Sequence, residues 1–225
     1  MKRTVFALGT CRLMATMKHL HRQGKVDLAN INSSWYAHNI LEINQRIALM
    51  AGEKSIPEDV HHLVVNSDSC SSSLSTVEGF QFPGIALIEV STLAYRTFDG
   101  VQLHSTCISK AKFNDAENYI MPLENLETEI MGLCGYFKKI VLVCNIERDK
   151  NLIELDPYRV SLNLKLKSLS EKYDSLSLFN PNIFLEQYSA SELLVDRDHF
   201  KPKFVRILLT EYNNFINGID LKYDR

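Results

Sequence analysis

The sequence predicts an α/β fold with a mostly parallel sheet of about five strands and helices on both faces. Two observations carry this expectation. Short apolar runs at residues 4–8, 85–90 and 140–143 have the length and continuity of strands buried on both faces. Between them, apolar residues recur at helical spacing, so that strands and helices alternate along the chain.

Residues 4–8 read as the first strand, stopped by Gly9, and Leu13, Met17 and Leu20 then mark a helix over about 11–23 that ends at Gly24. A second helix over about 37–51 carries Ile40, Ile47 and Ala51 on one stripe and stops at Gly52. Residues 61–65 form a short strand candidate, followed by a serine-rich surface loop, and residues 85–90 form the next strand. After Pro122, residues Leu126, Ile130, Leu133 and Phe137 share a helix face, with Glu124 and Glu127 early and Lys138 and Lys139 late, as the helix dipole favours. Residues 140–143 are the clearest strand. Asp156 followed by Pro157 is an N-cap with proline at the first helical position, opening a helix that buries Leu162, Leu166 and Leu169. Residues 175–179 read as the last strand, and a closing helix over about 201–216 buries Phe204, Ile207, Leu208 and Phe215. Residues 94–119 lack clean periodicity and read as an insertion near a sheet edge, within a single domain spanning 1–225.

The chain has 225 residues with a formal net charge of −2, which argues against nucleic acid or an anionic membrane as partner. The run after Met1-Lys2-Arg3 is too short for a secretory signal, and no run approaches a membrane span. Five cysteines, at 11, 70, 107, 134 and 144, have no zinc-knuckle spacing and read as reduced thiols of a cytoplasmic protein. No metal motif and no Gly-rich phosphate loop is present, so no cofactor is expected. The oligomeric state stays open.

In open parallel sheets, ligands bind beyond the carboxyl ends of the strands, so the polar residues after each strand are the candidates. Gly9-Thr10-Cys11-Arg12 follows the first strand. A thiol there sits at a helix N-terminus, where the dipole and backbone N–H groups favour a thiolate and can receive an oxyanion, with Arg12 adjacent. After the last strand comes Asp196-Arg197-Asp198-His199, where Asp196 can meet the imidazole across one turn and leave its other nitrogen as a base. Ser91 and Asn145 follow the third and fourth strands and fall on the same edge. His38, Glu42 and Gln45 share a helical stripe that either lines the cleft or, more simply, is a solvated face; His104 follows the turn signal Asp99-Gly100.

Together, Gly9 to Arg12 and Asp196-x-x-His199 resemble the SGNH/GDSL-type hydrolases, which carry Gly-Asp-Ser after the first strand and Asp-x-x-His before the last helix. The resemblance implies a flavodoxin-like three-layer sandwich with Cys11 as nucleophile, His199 as base and Asp196 as its orienting carboxylate. Cysteine stands where the family has serine, Thr10 where it has aspartate, and Ser91 where it has the asparagine of Gly-x-Asn. The Gly-x-Cys opening is nearer to bacterial branches that include acetyltransferases of polysaccharide biosynthesis. The implied activity is ester or O-acetyl hydrolysis or acyl transfer on a small molecule or glycan, with acyl-coenzyme A as one conceivable donor. Thr10, Arg12, Ser91, Asn145, His38 and His104 would bind substrate or oxyanion. The alternative is a non-catalytic protein of the same fold that binds a glycan, a nucleotide-like ligand or a protein partner.

Overall fold

The structure, a computed structural model, describes residues 2–31, 36–57, 60, 64, 80–104, 117–148, 155–196 and 198–220. Its elements run β1 (Arg3–Leu8), α1 (Cys11–Arg22), β2 (Val26–Leu28), α2 (Ile40–Met50), β3 (Ile85–Glu89), β4 (Ala94–Phe98), β5 (Val101–Leu103), β6 (Glu117–Ile120), α3 (Leu126–Gly132), β7 (Lys139–Val143), α4 (Pro157–Lys172), β8 (Leu176–Phe179), α5 (Ile183–Gln187), α6 (Ala190–Leu193) and α7 (Pro202–Gly218).

Five strands form one parallel sheet in the order β2-β1-β3-β7-β8. Within each central strand, alternate residues face opposite layers, as the two-residue period of a strand requires. Phe6, Leu8, Ala86, Ile88, Ile140 and Leu142 pack with Ile40, Ile43 and Ile47 of α2, Ile130 of α3 and Leu162, Leu166 and Leu169 of α4. Val5, Ala7, Ile85, Leu87, Val141 and Val143 pack on the other side with Leu13, Met17 and Leu20 of α1 and Phe204, Leu208 and Tyr212 of α7. The result is three layers. Each fully buried aliphatic side chain contributes roughly 1.5–3 kcal/mol, so the double-sided burial of β1, β3 and β7 holds the sheet.

The helices stop where the backbone needs glycine. Gly24 and Gly52 both take positive φ, at 70° and 75°, just beyond α1 and α2. Gly9 serves a different need: a Cβ there would stand 2.6 Å from the Cβ of Glu89, so its bare Cα lets the end of β1 close onto the end of β3.

The remaining strands, β5-β4-β6, make a small antiparallel sheet. Asp99 and Gly100, both at positive φ, turn the β4–β5 hairpin, the arrangement that Asp-Gly favours. Gln45 of α2 clamps it by donating to the Gln102 carbonyl at 2.9 Å and accepting from the Gln102 N–H at 2.8 Å.

Two expectations are corrected. The fifth strand of the main sheet is β2, which the sequence did not suggest; of residues 61–65, read as a strand, only Val64 is described, and it is helical and buried. Glu42 and Gln45 are not a solvated face but buried, Gln45 as the clamp just described and Glu42 in the cap of α2. The serine-rich loop and Arg197 lie outside the described residues.

Candidate active site

The sheet order reverses between β1 and β3, and a cleft of about 480 Å³ opens there, beyond the carboxyl ends of the strands. Thr10, Cys11 and Arg12 enter it from the β1–α1 turn, His38 from the start of α2, and Ser91 and Thr92 from the exit of β3. Tyr158 and Arg159 come from the first turn of α4, and Asp198 and His199 from the loop before α7. Larger depressions of about 690 and 850 Å³ lie at the opposite edge, where lysines and backbone precede β7, β8 and β1. Of these three, it is the smaller cleft that brings a thiol and imidazoles together among the described residues.

Cys11 is exposed and is the first residue of α1. Thr10 is its N-cap by position, yet its side chain caps nothing in the helix. The Thr10 hydroxyl instead donates to Glu89 Oε2 at 2.5 Å, and the Thr10 N–H donates to the same oxygen at 3.1 Å. The first turn of α1 therefore presents backbone N–H groups beside the thiol with no side-chain cap over them, the arrangement that receives an anion.

Glu89 is the charge that sequence reasoning overlooked. Its carboxylate also takes Arg12 Nη2 at 2.9 Å, with both side chains almost wholly buried, at 4% and 8% exposure. Arg12 Nη1 reaches on to Asp198 Oδ1 at 3.2 Å, and Arg159 Nη2 reaches the same oxygen at 2.8 Å. Asp198 thus ties the loop before α7 to both α1 and α4. Arg159 is fixed in turn by donating to the Ile146 carbonyl at 2.9 Å. The signal for Glu89 was present: a carboxylate closing an otherwise apolar buried strand demands a cation.

Asp196 and His199 meet as the spacing implied. His199 Nδ1 lies 2.8 and 2.9 Å from the two carboxylate oxygens of Asp196, and the backbone N–H groups of Asp198 and His199 also donate to Asp196. These bonds, led by the His199 ring, hold the Asp196 carboxyl below its ordinary range. The imidazole itself is exposed on the cleft rim.

His38 stands deeper. Its carbonyl accepts from the Ser91 N–H at 2.8 Å, the Thr92 N–H at 3.0 Å and the Ser91 hydroxyl at 3.1 Å, while its N–H donates to Glu42 at 3.2 Å. The ring lies 3.3 Å from Ser91 Oγ through Nδ1 and packs edge-on against His104 at 5.2 Å between centroids. Burial lowers the pKa of both rings, that of His104 to about 3.

Two candidates do not line the cleft. His104 is buried behind His38, held in the interior by the hairpin that carries it. Asn145 is fully buried because its side chain bridges strands: it donates to the Val90 carbonyl at 2.7 Å, and its N–H donates to Asn163. Cys11, Thr10, Arg12, His38, Ser91 and His199 do share the cleft, with Asp196 directly behind His199. Among the described residues no group of three or more His, Cys, Asp or Glu side chains could hold a metal ion, and no helix is long and apolar enough to cross a membrane.

Sheet order, three layers and switch-point cleft match the SGNH/flavodoxin-like hydrolase fold, and solved structures agree. A catalytic mutant of Axe2, an acetylxylan esterase from Geobacillus stearothermophilus, matches at 11% identity and a TM-score of 0.52, over 100% of this chain and 97% of that one. A second Axe2 mutant matches at 12% identity and a TM-score of 0.50 over the same shares. A protein of the G-D-S-L family from Desulfitobacterium hafniense matches at 9% identity and 0.50, over 95% and 98%. At these identities the likeness is one of fold. The sequence goes further: residues 3–119 match the model of the TviD N-terminal domain, and the chain belongs to that family. No curated protein matches the sequence significantly.

Proposed function

We propose that the protein is an acyl hydrolase or acyltransferase acting on esters, with O-acetyl groups of a glycan as the substrate class, through Cys11, His199 and Asp196. The observation that carries the reading is one cleft holding both a thiol at an uncapped helix N-terminus and an imidazole whose Nδ1 is held by a carboxylate. His199 Nε2 takes the thiol proton, and the thiolate attacks the acyl carbonyl carbon. The oxyanion develops beside the first-turn N–H groups of α1. As the C–O bond breaks, the imidazolium returns the proton to the leaving alcohol. Water or an acceptor hydroxyl then discharges the thioester.

The names of the structural neighbours, acetylxylan esterases, support an acetyl ester on a sugar as the donor side. The reaction needs no cofactor; with acyl-coenzyme A, a thioester, as the alternative donor, a C–S bond would break in place of the C–O bond and the imidazolium would return its proton to the coenzyme A thiol. A binding module is the competing reading, favoured by Ser91 standing where the family's asparagine would donate to the oxyanion. The test is exposure of the protein to activated acetyl esters and acetyl-coenzyme A, followed by intact-mass and peptide analysis. An acetyl adduct on Cys11 that is absent in Cys11→Ala is the expected result. No adduct with any donor, alongside an intact fold, overturns the enzyme reading.

A further inference from the structure

We infer that His38 is a second catalytic base, serving the acyl acceptor rather than Cys11. The inference rests on the acyl-thioester reading above and deepens it by assigning the second half-reaction to a different imidazole.

Three observations meet on this residue. It lines the same cleft as Cys11 and His199 but reaches it from the segment just before the N-cap of α2 rather than from the loop before α7. Its backbone is clamped at both ends, by Ser91 and Thr92 at the carbonyl and by Glu42 at the N–H, so the ring is held in place before any ligand arrives. Its tautomer has a natural assignment as well. Ser91 Oγ lies 3.1 Å from the His38 carbonyl and 3.3 Å from Nδ1; we assign the one hydroxyl proton to the carbonyl, which makes the second contact Nδ1–H donating to Ser91 Oγ. Nε2 is left with its lone pair. A clamped neutral imidazole in a nucleophile's cleft has the form of a general base.

The charges around the ring agree. Glu89 and Asp198 favour a proton on His38, Arg12 and Arg46 disfavour one, and burial outweighs them all, with the neutral His104 ring packed behind. His199, paired with Asp196, is built to carry the positive charge that follows from taking the Cys11 proton. His38 is built to stay neutral until an acceptor hydroxyl arrives. In the discharge step the acceptor oxygen forms a bond to the thioester carbonyl carbon and its proton passes to His38 Nε2. The C–S bond breaks and its electron pair returns to Cys11 sulfur, so the oxygen ester, the thiolate and one imidazolium account for every atom and charge.

The experiment separates the two half-reactions. Cys11 is loaded with p-nitrophenyl acetate, and loss of the acyl adduct is followed by intact mass in water, in water with glycerol as acceptor, and with hydroxylamine, a nucleophile that needs no general base. For His38→Gln, discharge to water or glycerol is expected to slow on the order of 100-fold, far more than loading does. Discharge by hydroxylamine should be unchanged. Ser91→Ala, which keeps the imidazole but frees its tautomer, should fall between. Equal slowing of the glycerol and hydroxylamine reactions, or no slowing of either, overturns the assignment. So does a His38→Gln protein that fails to fold together with a folded Ser91→Ala protein that discharges normally. An adduct that never forms on wild-type Cys11 overturns the thioester reading and this one with it.

Discussion

Replacing Glu89 with glutamine keeps the shape of the side chain and removes its charge. In the folded protein this carboxylate accepts from the Thr10 hydroxyl and N–H and pairs with Arg12, all in the interior. Breaking a buried ion pair from one side costs about 3–5 kcal/mol, because the surviving charge is left in low dielectric. Here two features soften the loss. Arg12 keeps Asp198 at 3.2 Å and Thr10 Oγ1 at 3.2 Å, and the amide oxygen of glutamine can still accept from Thr10. The expected destabilisation is therefore about 2–3 kcal/mol, which lowers the melting temperature of a domain of this size by about 4–12 °C. Thermal melts and urea titrations of Glu89→Gln, Arg12→Gln and the double variant measure it. The double variant should be less destabilised than the sum of the two, with a coupling of about 1–3 kcal/mol. A Glu89→Gln protein within about 0.5 kcal/mol of wild type, the range of ordinary surface changes, would refute the claim that this pair ties β3 to the start of α1.

Further expectations follow from the same contacts. Cys11→Ala and His199→Ala should each abolish most acyl transfer, and their double variant should be scarcely worse, since groups acting in one proton-transfer sequence lose function together; multiplying losses would assign them to separate sites. Asp196→Asn should cost less, because it disturbs only the orientation of the ring that its carboxylate holds at 2.8 Å. In native protein, iodoacetamide should label exposed Cys11 while buried Cys144, its thiol pushed up to about 12 by burial, reacts only on unfolding; peptide mapping reports both, and equal labelling would contradict the packing of β7. Stability should fall with acid below about pH 6.5, because the unfolded His104 ring then binds a proton that the folded ring, at about 3, refuses. The slope is about 1.4 kcal/mol per pH unit between those limits, and His38, shifted the same way, adds to it over its own range. Urea midpoints at pH 7, 6 and 5 should show a shallower slope for His104→Gln; an unchanged slope would mean that the ring is not buried neutral.

Much of this was legible in the residues. The runs at 4–8, 85–90 and 140–143 hold four consecutive apolar residues each, at 5–8, 85–88 and 140–143, and all three stretches lie within the parallel sheet. The N-cap at Asp156 is read directly, accepting from the N–H groups of Tyr158 and Arg159. β2 was illegible for a physical reason: it is a three-residue edge strand with Asp27 at its centre, too short for periodicity to declare itself. The stripe of Glu42 and Gln45 looked like a wet face because local spacing cannot reveal a hairpin folding over it. Asn145 follows a strand as an active-edge residue should, but whether such a side chain turns to the cleft or across to the neighbouring strand is decided by tertiary contacts alone. Asp196 and His199 could be paired from three-residue spacing, whereas the Arg12–Asp198–Arg159 tie joins Asp198 to residues 186 and 39 positions away and leaves no local trace.

That the cleft is assembled from distant segments bears on how the chain is made. Cys11 leaves the ribosome about 190 residues ahead of His199, a delay of roughly 10–40 s at ordinary elongation rates. The family match, ending at residue 119, covers Cys11, His38 and Ser91 but neither β7 nor β8. Until those strands are added, β3 has an unpaired edge and the thiol has neither its imidazole nor the tie through Asp198. On the proposed mechanism, a nascent chain would therefore carry the nucleophile without its base, and reactivity would switch on only when the last helix closes the layer over β1.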